Sequence, residues 1–286
     1  MRSGKVRIET RRDNEDRCGS GKVSRRQMRR FLNGFEEEFD LSTLSERDRD
    51  RCLYWLSYEA PRWADTISLV LASSPLRVLD VGCEFAVCSL FMKRQCGLEV
   101  IGLDAPWRAE ELQDYWRCNG LDVRACDIIH DPLPFEEASF DVILLPEVIE
   151  HLRCPPVLVI KRLLPLLKRG GRLIVTTPNV CRLSNILHLL EGRNIILPLM
   201  DTQGQPGVHP TDNWYHIREM TPQETVAAVR DAGFRNVKLH MSACWDGPGA
   251  SGERSMFRKF LKAIWLPAAK CFPRWRACIM AEGERK

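Results

Sequence analysis

The stretch Val78-Leu79-Asp80-Val81-Gly82 constrains this chain more than any other: an apolar run that ends in a carboxylate and a glycine and then feeds a helical segment. About 20 residues on, Val100-Ile101-Gly102-Leu103-Asp104 repeats the pattern, the spacing at which dinucleotide-type folds place a ribose-gripping acid. With 76–81 and 98–103, the runs 121–126, 140–145 and 172–176 make five candidate strands. Parallel strands need crossover connections of about a dozen residues or more, so gaps of this length imply helices between them and a parallel sheet. Residues 235–242 and 276–282 read as a sixth and a seventh strand.

Around this centre the texture differs. Residues 31–74 carry Leu53, Leu56, Trp63, Ile67, Val70 and Leu71 near helical spacing, with Pro61 where one helix gives way to another. They form an expected N-terminal helical cap. Residues 1–30 hold 11 Lys or Arg against 4 Asp or Glu, whereas the remainder holds 31 against 34. So few apolar residues cannot offset chain entropy, and a disordered basic tail is expected there. Pro155-Pro156 opens a helix expected to run to Lys168 and to be closed by Gly170-Gly171. Thr221-Pro222-Gln223-Glu224 is a capping box with proline at the first helical position, and Gly233 ends the helix it opens.

Five residues outrank these elements chemically. Asp80, Gly82 and Glu84 lie in the first strand and its turn, Asp104 ends the second strand and Asp127 follows the third. Together with Asp131-Pro132-Leu133-Pro134-Phe135, Ser139-Phe140-Asp141, Glu147-Val148-Ile149-Glu150-His151 and Thr176-Thr177-Pro178-Asn179, the order resembles the S-adenosylmethionine-dependent methyltransferases with a seven-strand Rossmann-like sheet. The resemblance covers residues 75–243 and implies strand order 3-2-1-4-5-7-6, flanked by helices, in a domain spanning 75–286. It also implies that Asp80 anchors the turn or the methionine ammonium and that Gly82 lets backbone approach the donor. Asp104 would accept both ribose hydroxyls, and Asp127 and Ile128 would meet the adenine. The family's turn reads Gly-x-Gly-x-Gly; here it reads Gly82, Glu84 and Ala86, so Glu84 either pairs with the ammonium or hinders binding.

Methyl transfer to a planar nitrogen usually goes with Asn-Pro-Pro-aromatic after the fourth strand, where this chain has Leu145-Pro146-Glu147. That disfavours the amino-methyltransferases acting on adenine or glutamine; O-methylation of a small-molecule, lipid or sugar acceptor in a biosynthetic pathway is expected, with nitrogen and carbon acceptors left open. Glu147, Glu150 and His151 are the candidate catalytic residues, His151 as general base because an imidazole titrates near neutrality. Glu147, Glu150, His151 and His216 resemble the metal ligands of small-RNA 2′-O-methyltransferases and ubiquinone-pathway O-methyltransferases. Mg²⁺ or another divalent ion is therefore a second expected cofactor beside S-adenosylmethionine. Residues 181–220, with Asn185, His188, Arg193, His209, Trp214 and Tyr215, are the expected acceptor loop.

Within 244–274, Phe257, Phe260, Leu261, Ile264 and Trp265 form an apolar face opposite Arg254, Arg258, Lys259 and Lys262. The segment is expected to be an amphipathic insertion: a helix packed on the domain, or a peripheral membrane contact through 257–276. No run is long enough for a membrane span and residues 1–30 lack an apolar signal segment, so a cytoplasmic protein is expected, with the inner face of a membrane as the alternative site. The 12 cysteines form no Cys-x-x-Cys pair, and those inside apolar runs, such as Cys126 and Cys278, read as core thiols. An RNA 2′-O-methyltransferase fits the basic tail, although the acidic remainder disfavours nucleic acid, and a non-catalytic scaffold fits the altered turn. A nicotinamide dehydrogenase fails for want of Gly-x-Gly-x-x-Gly.

Overall fold

The computed structural model describes residues 22–195, 216–242 and 272–286. Seven strands make one sheet in the order β3-β2-β1-β4-β5-β7-β6: β1 Arg77–Val81, β2 Glu99–Asp104, β3 Asp122–Ala125, β4 Phe140–Pro146, β5 Leu167–Pro178, β6 Arg235–Ser242 and β7 Cys278–Glu284. The first five run parallel, and β7 lies antiparallel between β5 and β6. All seven expected strands are present, and the expected order holds. Among the described residues no helix is long and apolar enough to cross a membrane.

Both faces of the sheet are covered, so its strands read as continuous apolar runs. Successive side chains still point to opposite faces. Val78, Val142 and Leu144 join one core with Val87, Leu90 and Phe91 of α5 (Val87–Cys96) and Leu112, Tyr115 and Trp116 of α6 (Pro106–Cys118). Their strand neighbours Leu79, Ile143 and Leu145 join the other, with Ile160 and Leu163 of α7 (Pro156–Leu163) and Val229 of α9 (Pro222–Asp231). A fully buried side chain of this kind contributes about 1.5–3 kcal/mol, so each core outweighs any single polar contact. Cys126 and Cys278 are buried, as core thiols should be.

Among the described residues four helices precede β1: α1 Arg25–Asn33, α2 Phe35–Glu38, α3 Glu46–Tyr58 and α4 Ala60–Leu71. Pro61 stands in the first turn of α4, where its missing N–H costs nothing. Ile67 and Val70 of α4 and Met28 and Phe35 are fully buried in the same core as α5 and α6. Asp40 and Asn119 clamp the junction, Asp40 N donating to Asn119 Oδ1 at 2.8 Å and Asn119 Nδ2 to the Asp40 carbonyl at 3.0 Å. The preface therefore shares its core with the sheet.

Three expectations shift. Helix α1 begins inside the span expected as tail, because Ser24 and Gln27 form a capping box and Met28 finds an apolar pocket. Residues 1–21 lie outside the described residues. Helix α7 stops at Leu163 rather than Lys168, because Pro165 has no N–H for the carbonyl of Lys161. After a short 3₁₀ turn at Leu164–Leu166, β5 begins at Leu167, and Gly170-Gly171 lies where β5 shifts register against β4, not at a helix end. Finally, the expected acceptor loop contains a helix, α8 (Leu183–Leu190), while its residues His209, Trp214 and Tyr215 lie outside the described residues. So do residues 244–271 of the expected amphipathic insertion.

Candidate active site

The carboxyl ends of β1, β2 and β4 open into a cavity of about 1080 Å³ bounded by the described residues. Such ends are where open α/β sheets bind ligands, at the point where strand order reverses. Asp80, Gly82, Glu84, Asp104, Asp127 and Ile128 all line it, and so do Glu147, Glu150, His151 and His216. Residues chosen from scattered sequence positions thus share one space.

On the side of β1 and β2 the cavity is acidic. Asp80 is fully buried; Ser89 Oγ donates to its Oδ2 at 2.6 Å, while Oδ1 has no hydrogen-bond partner among the described residues. Burial pushes this carboxyl up to about 6, and Asp104 adds to the push. Asp104 accepts from the backbone N–H groups of Glu84 (2.7 Å) and Ala105 (2.8 Å). Asp127 is more exposed; it accepts from the Ile129 N–H at 2.8 Å and meets His130 Nδ1 at 2.8 Å, contacts that hold its carboxyl low. Gly82 has φ +71°, and a Cβ there would come within 2.4 Å of Val148 Cγ2, so glycine is required. A buried carboxylate oxygen without a donor, beside a bare backbone, suits a cationic, nucleoside-sized ligand such as S-adenosylmethionine.

The altered turn keeps its shape. Glu84 (φ +49°) and Ala86 (φ +51°) adopt the left-handed backbone although neither is glycine, at a cost of about 1–2 kcal/mol each. The Glu84 carboxylate pairs with Arg51 Nη2 at 2.8 Å and Arg108 Nη2 at 3.3 Å. Burial nevertheless pushes its carboxyl up to about 7, against the pull of the two guanidiniums.

Opposite, the turn after β4 carries the second set. Glu147 (φ +53°) accepts from Thr176 Oγ1 at 2.9 Å and lies 3.5 Å from Arg62 Nη1. Glu150 is fully buried; Thr177 Oγ1 donates to its Oε2 at 3.0 Å, while Oε1 has no hydrogen-bond partner among the described residues. Burial, with the charge of Glu147 behind it, pushes the Glu150 carboxyl well above the usual range. Its main-chain carbonyl accepts from the N–H groups of Ile217 and Arg218, which brings His216 against His151, ring centroids 5.1 Å apart. One ligand atom from each of Glu150, His151 and His216 lies within 4.8 Å of the others; Glu147 is not in this group.

Sequence reading missed the residues that hold these groups in place. Arg51 and Arg62 sit on helices that precede the motifs and Arg108 on the helix that follows β2, and nothing local distinguishes them. Glu219, three residues after His216, is a buried hub. Its Oε1 meets His216 Nδ1 at 2.9 Å and Arg182 Nη2 at 3.0 Å, and its Oε2 accepts from Asn185 Nδ2 at 3.0 Å. These donors hold its carboxyl low despite burial. An ionised carboxylate only accepts, so the neutral imidazole of His216 carries its proton on Nδ1 and keeps Nε2 as its lone-pair atom.

Comparison with known proteins bears on the family and the fold. Residues 55–239 match the family model described as a methyltransferase domain. A ubiquinone biosynthesis O-methyltransferase of Xylella fastidiosa strain 9a5c is 33% identical over 59% of this chain and 65% of its own length. That of strain M23 is 32% identical over 65% of this chain and 80% of its own. A SAM-dependent methyltransferase of Archaeoglobus fulgidus superposes with a TM-score of 0.52 at 17% identity, covering 82% of this chain and 99% of that one. One from Thermotoga maritima, described as a possible histamine N-methyltransferase, gives 0.55 at 17% identity, covering 84% and 97%. With the family model spanning most of the sheet and the strand order matching, the chain belongs to the S-adenosylmethionine-dependent methyltransferases of Rossmann-like fold.

Proposed function

We propose that this enzyme methylates an oxygen of a small-molecule or lipid-linked acceptor. The observation that carries the reading is the meeting of Glu147, Glu150, His151 and His216 across one cavity from Asp80 and Asp104. S-adenosylmethionine supplies an electrophilic methyl on a sulfonium. The protein's task is to hold the acceptor oxygen in line with that methyl and to take its proton. His151 is the proton acceptor in this reading, and the buried carboxyl of Glu150 orients the hydroxyl. Exposed Leu189, Leu190 and Ile217, close in sequence to the lining residues Arg182 and His216, support an acceptor with an apolar portion.

The same group suits a divalent cation. Two imidazoles and a carboxylate oxygen without a hydrogen-bond partner among the described residues are an N₂O donor set, and with an ion bound Glu150, His151 and His216 would be its ligands, His151 then serving as a ligand in place of the proton acceptor. Such an ion makes a bound hydroxyl more acidic. Glu147, engaged by Arg62 and Thr176, would stay outside the ligand set.

Calorimetric titration with S-adenosylmethionine and its demethylated product, with and without Mg²⁺, followed by a radiolabelled-methyl assay on catechols and other hydroxylated rings, tests the reading. Transfer that His151→Ala lowers by about 10²–10⁴-fold with donor binding intact is the expected result. Transfer to amines alone would replace oxygen with nitrogen as the acceptor.

A further inference from the structure

The turn between β1 and α5 has lost two glycines but not the backbone that glycine favours: Gly82, Glu84 and Ala86 have φ of +71°, +49° and +51°. An L-residue holds such a conformation only when its surroundings over-determine it. Here they do so from three elements. From β2, Asp104 Oδ2 accepts the Glu84 N–H at 2.7 Å. From α6, Trp116 Nε1 donates to the Glu84 carbonyl at 2.7 Å and Tyr115 Oη to that of Phe85 at 3.1 Å. From α3, Arg51 Nη2 reaches Glu84 Oε1 at 2.8 Å and Asp48 Oδ1 at 3.1 Å. Arg108 Nη2 approaches the same Glu84 oxygen at 3.3 Å, its Nη1 lies 3.4 Å from Asp48 Oδ1, and it also pairs with Glu111. Both guanidiniums lie over the Phe85 ring, 5.2 and 5.5 Å from its centroid.

We propose that Arg51 and Arg108 are positioning residues for the methyl-donor turn: they hold Glu84, and through it the turn at Gly82, Glu84 and Ala86, in the left-handed backbone that glycine provides unaided elsewhere. The acid that replaces glycine is then not an obstacle in the cavity. It is the handle by which the N-terminal helices set the turn. Arg51 belongs to α3, so the shape of the donor site depends on a helix outside the strand–turn–helix unit that carries the motif.

The inference rests on the methyltransferase reading only for its ligand measurement, so the test has a second readout that needs no ligand. Hydrogen exchange at the backbone amides of residues 83–86 is followed in the full-length, ligand-free protein, and dissociation constants for S-adenosylhomocysteine are measured alongside. The variants are Arg51→Ala, Arg51→Lys, Glu84→Gly and the double variant Arg51→Ala/Glu84→Gly. Arg51→Ala should speed exchange at the turn and weaken nucleoside binding by about tenfold each, and Arg51→Lys should recover part of both. In the Glu84→Gly background, where no handle is needed, the same Arg51→Ala change should cost less than about twofold. Unchanged exchange in Arg51→Ala would overturn the proposal. So would an equal loss in both backgrounds, which would assign Arg51 to docking of α3 alone. If the wild type binds no nucleoside, the methyl-donor reading fails, and exchange at the turn, with Arg108→Ala measured beside Arg51→Ala, still decides the role of the arginines.

Discussion

Asp80 ties local burial to pH most directly. Its carboxyl rises to about 6 in the folded chain, from an ordinary 3.8, because it is buried. A raised carboxyl binds its proton more tightly when folded, so this group favours the folded state below about pH 4, and that contribution is lost as pH climbs through about 6. In the proposed donor site, with Asp80 facing the methionine ammonium, binding would run the other way, since a cationic ligand needs the ionised form. Affinity for S-adenosylmethionine should therefore fall about tenfold per unit as pH drops below 6, and Asp80→Asn should flatten the profile, both read by calorimetry across pH. Glu219→Gln leaves Arg182 beside a neutral amide and should cost about 1–3 kcal/mol in thermal unfolding, with His216 losing its single tautomer in ¹⁵N spectra. Asp80, Gly82 and Asp104 were legible because a strand end followed by a turn announces itself in neighbouring letters. Arg51 and Arg108 were not, since their partner lies 33 and 24 residues away with no repeat to mark it.

The strands were legible because apolar runs of four to eight residues, too short for a helix and bounded by turn residues, bury themselves best in a sheet covered on both faces. Helix ends were harder. Helix α7 looked longer because Lys168-Arg169 and Gly170-Gly171 imitate a basic last turn and a glycine stop, while the decisive residue was the missing donor at Pro165. Where the local chemistry was complete, as in the capping box of α9, sequence and structure agree: the Thr221 side chain accepts from the Glu224 N–H, and Glu224 accepts from that of Thr221. Thr221→Ala should lower stability by about 1 kcal/mol, measured by denaturant unfolding. Gly82→Ala should be far worse, because it combines left-handed strain with a 2.4 Å contact, and should abolish nucleoside binding or folding in the same measurements.

At the scale of the molecule, helices α1 to α4 are part of the core that covers one face of the sheet. Hence ligand binding and global stability should be linked. Product at about 100 times its dissociation constant should stabilise the whole chain by about 2.7 kcal/mol, seen as one cooperative shift in melting with no separate transition for the helical preface. Charge counts could not reveal this, because the basic composition of residues 1–30 hides Met28 and a capping box at Ser24. The position of β7 has a different consequence. It pairs with β5 on one side and β6 on the other, yet follows both in the chain. As the polypeptide leaves the ribosome, β6 emerges before the strand it pairs with, and the edge of β5 stays bare until β7 slots between them. Completion of the sheet is thus an insertion by the last of its seven strands, and the edges of β5 and β6 that face each other across β7 stay unpaired until that moment.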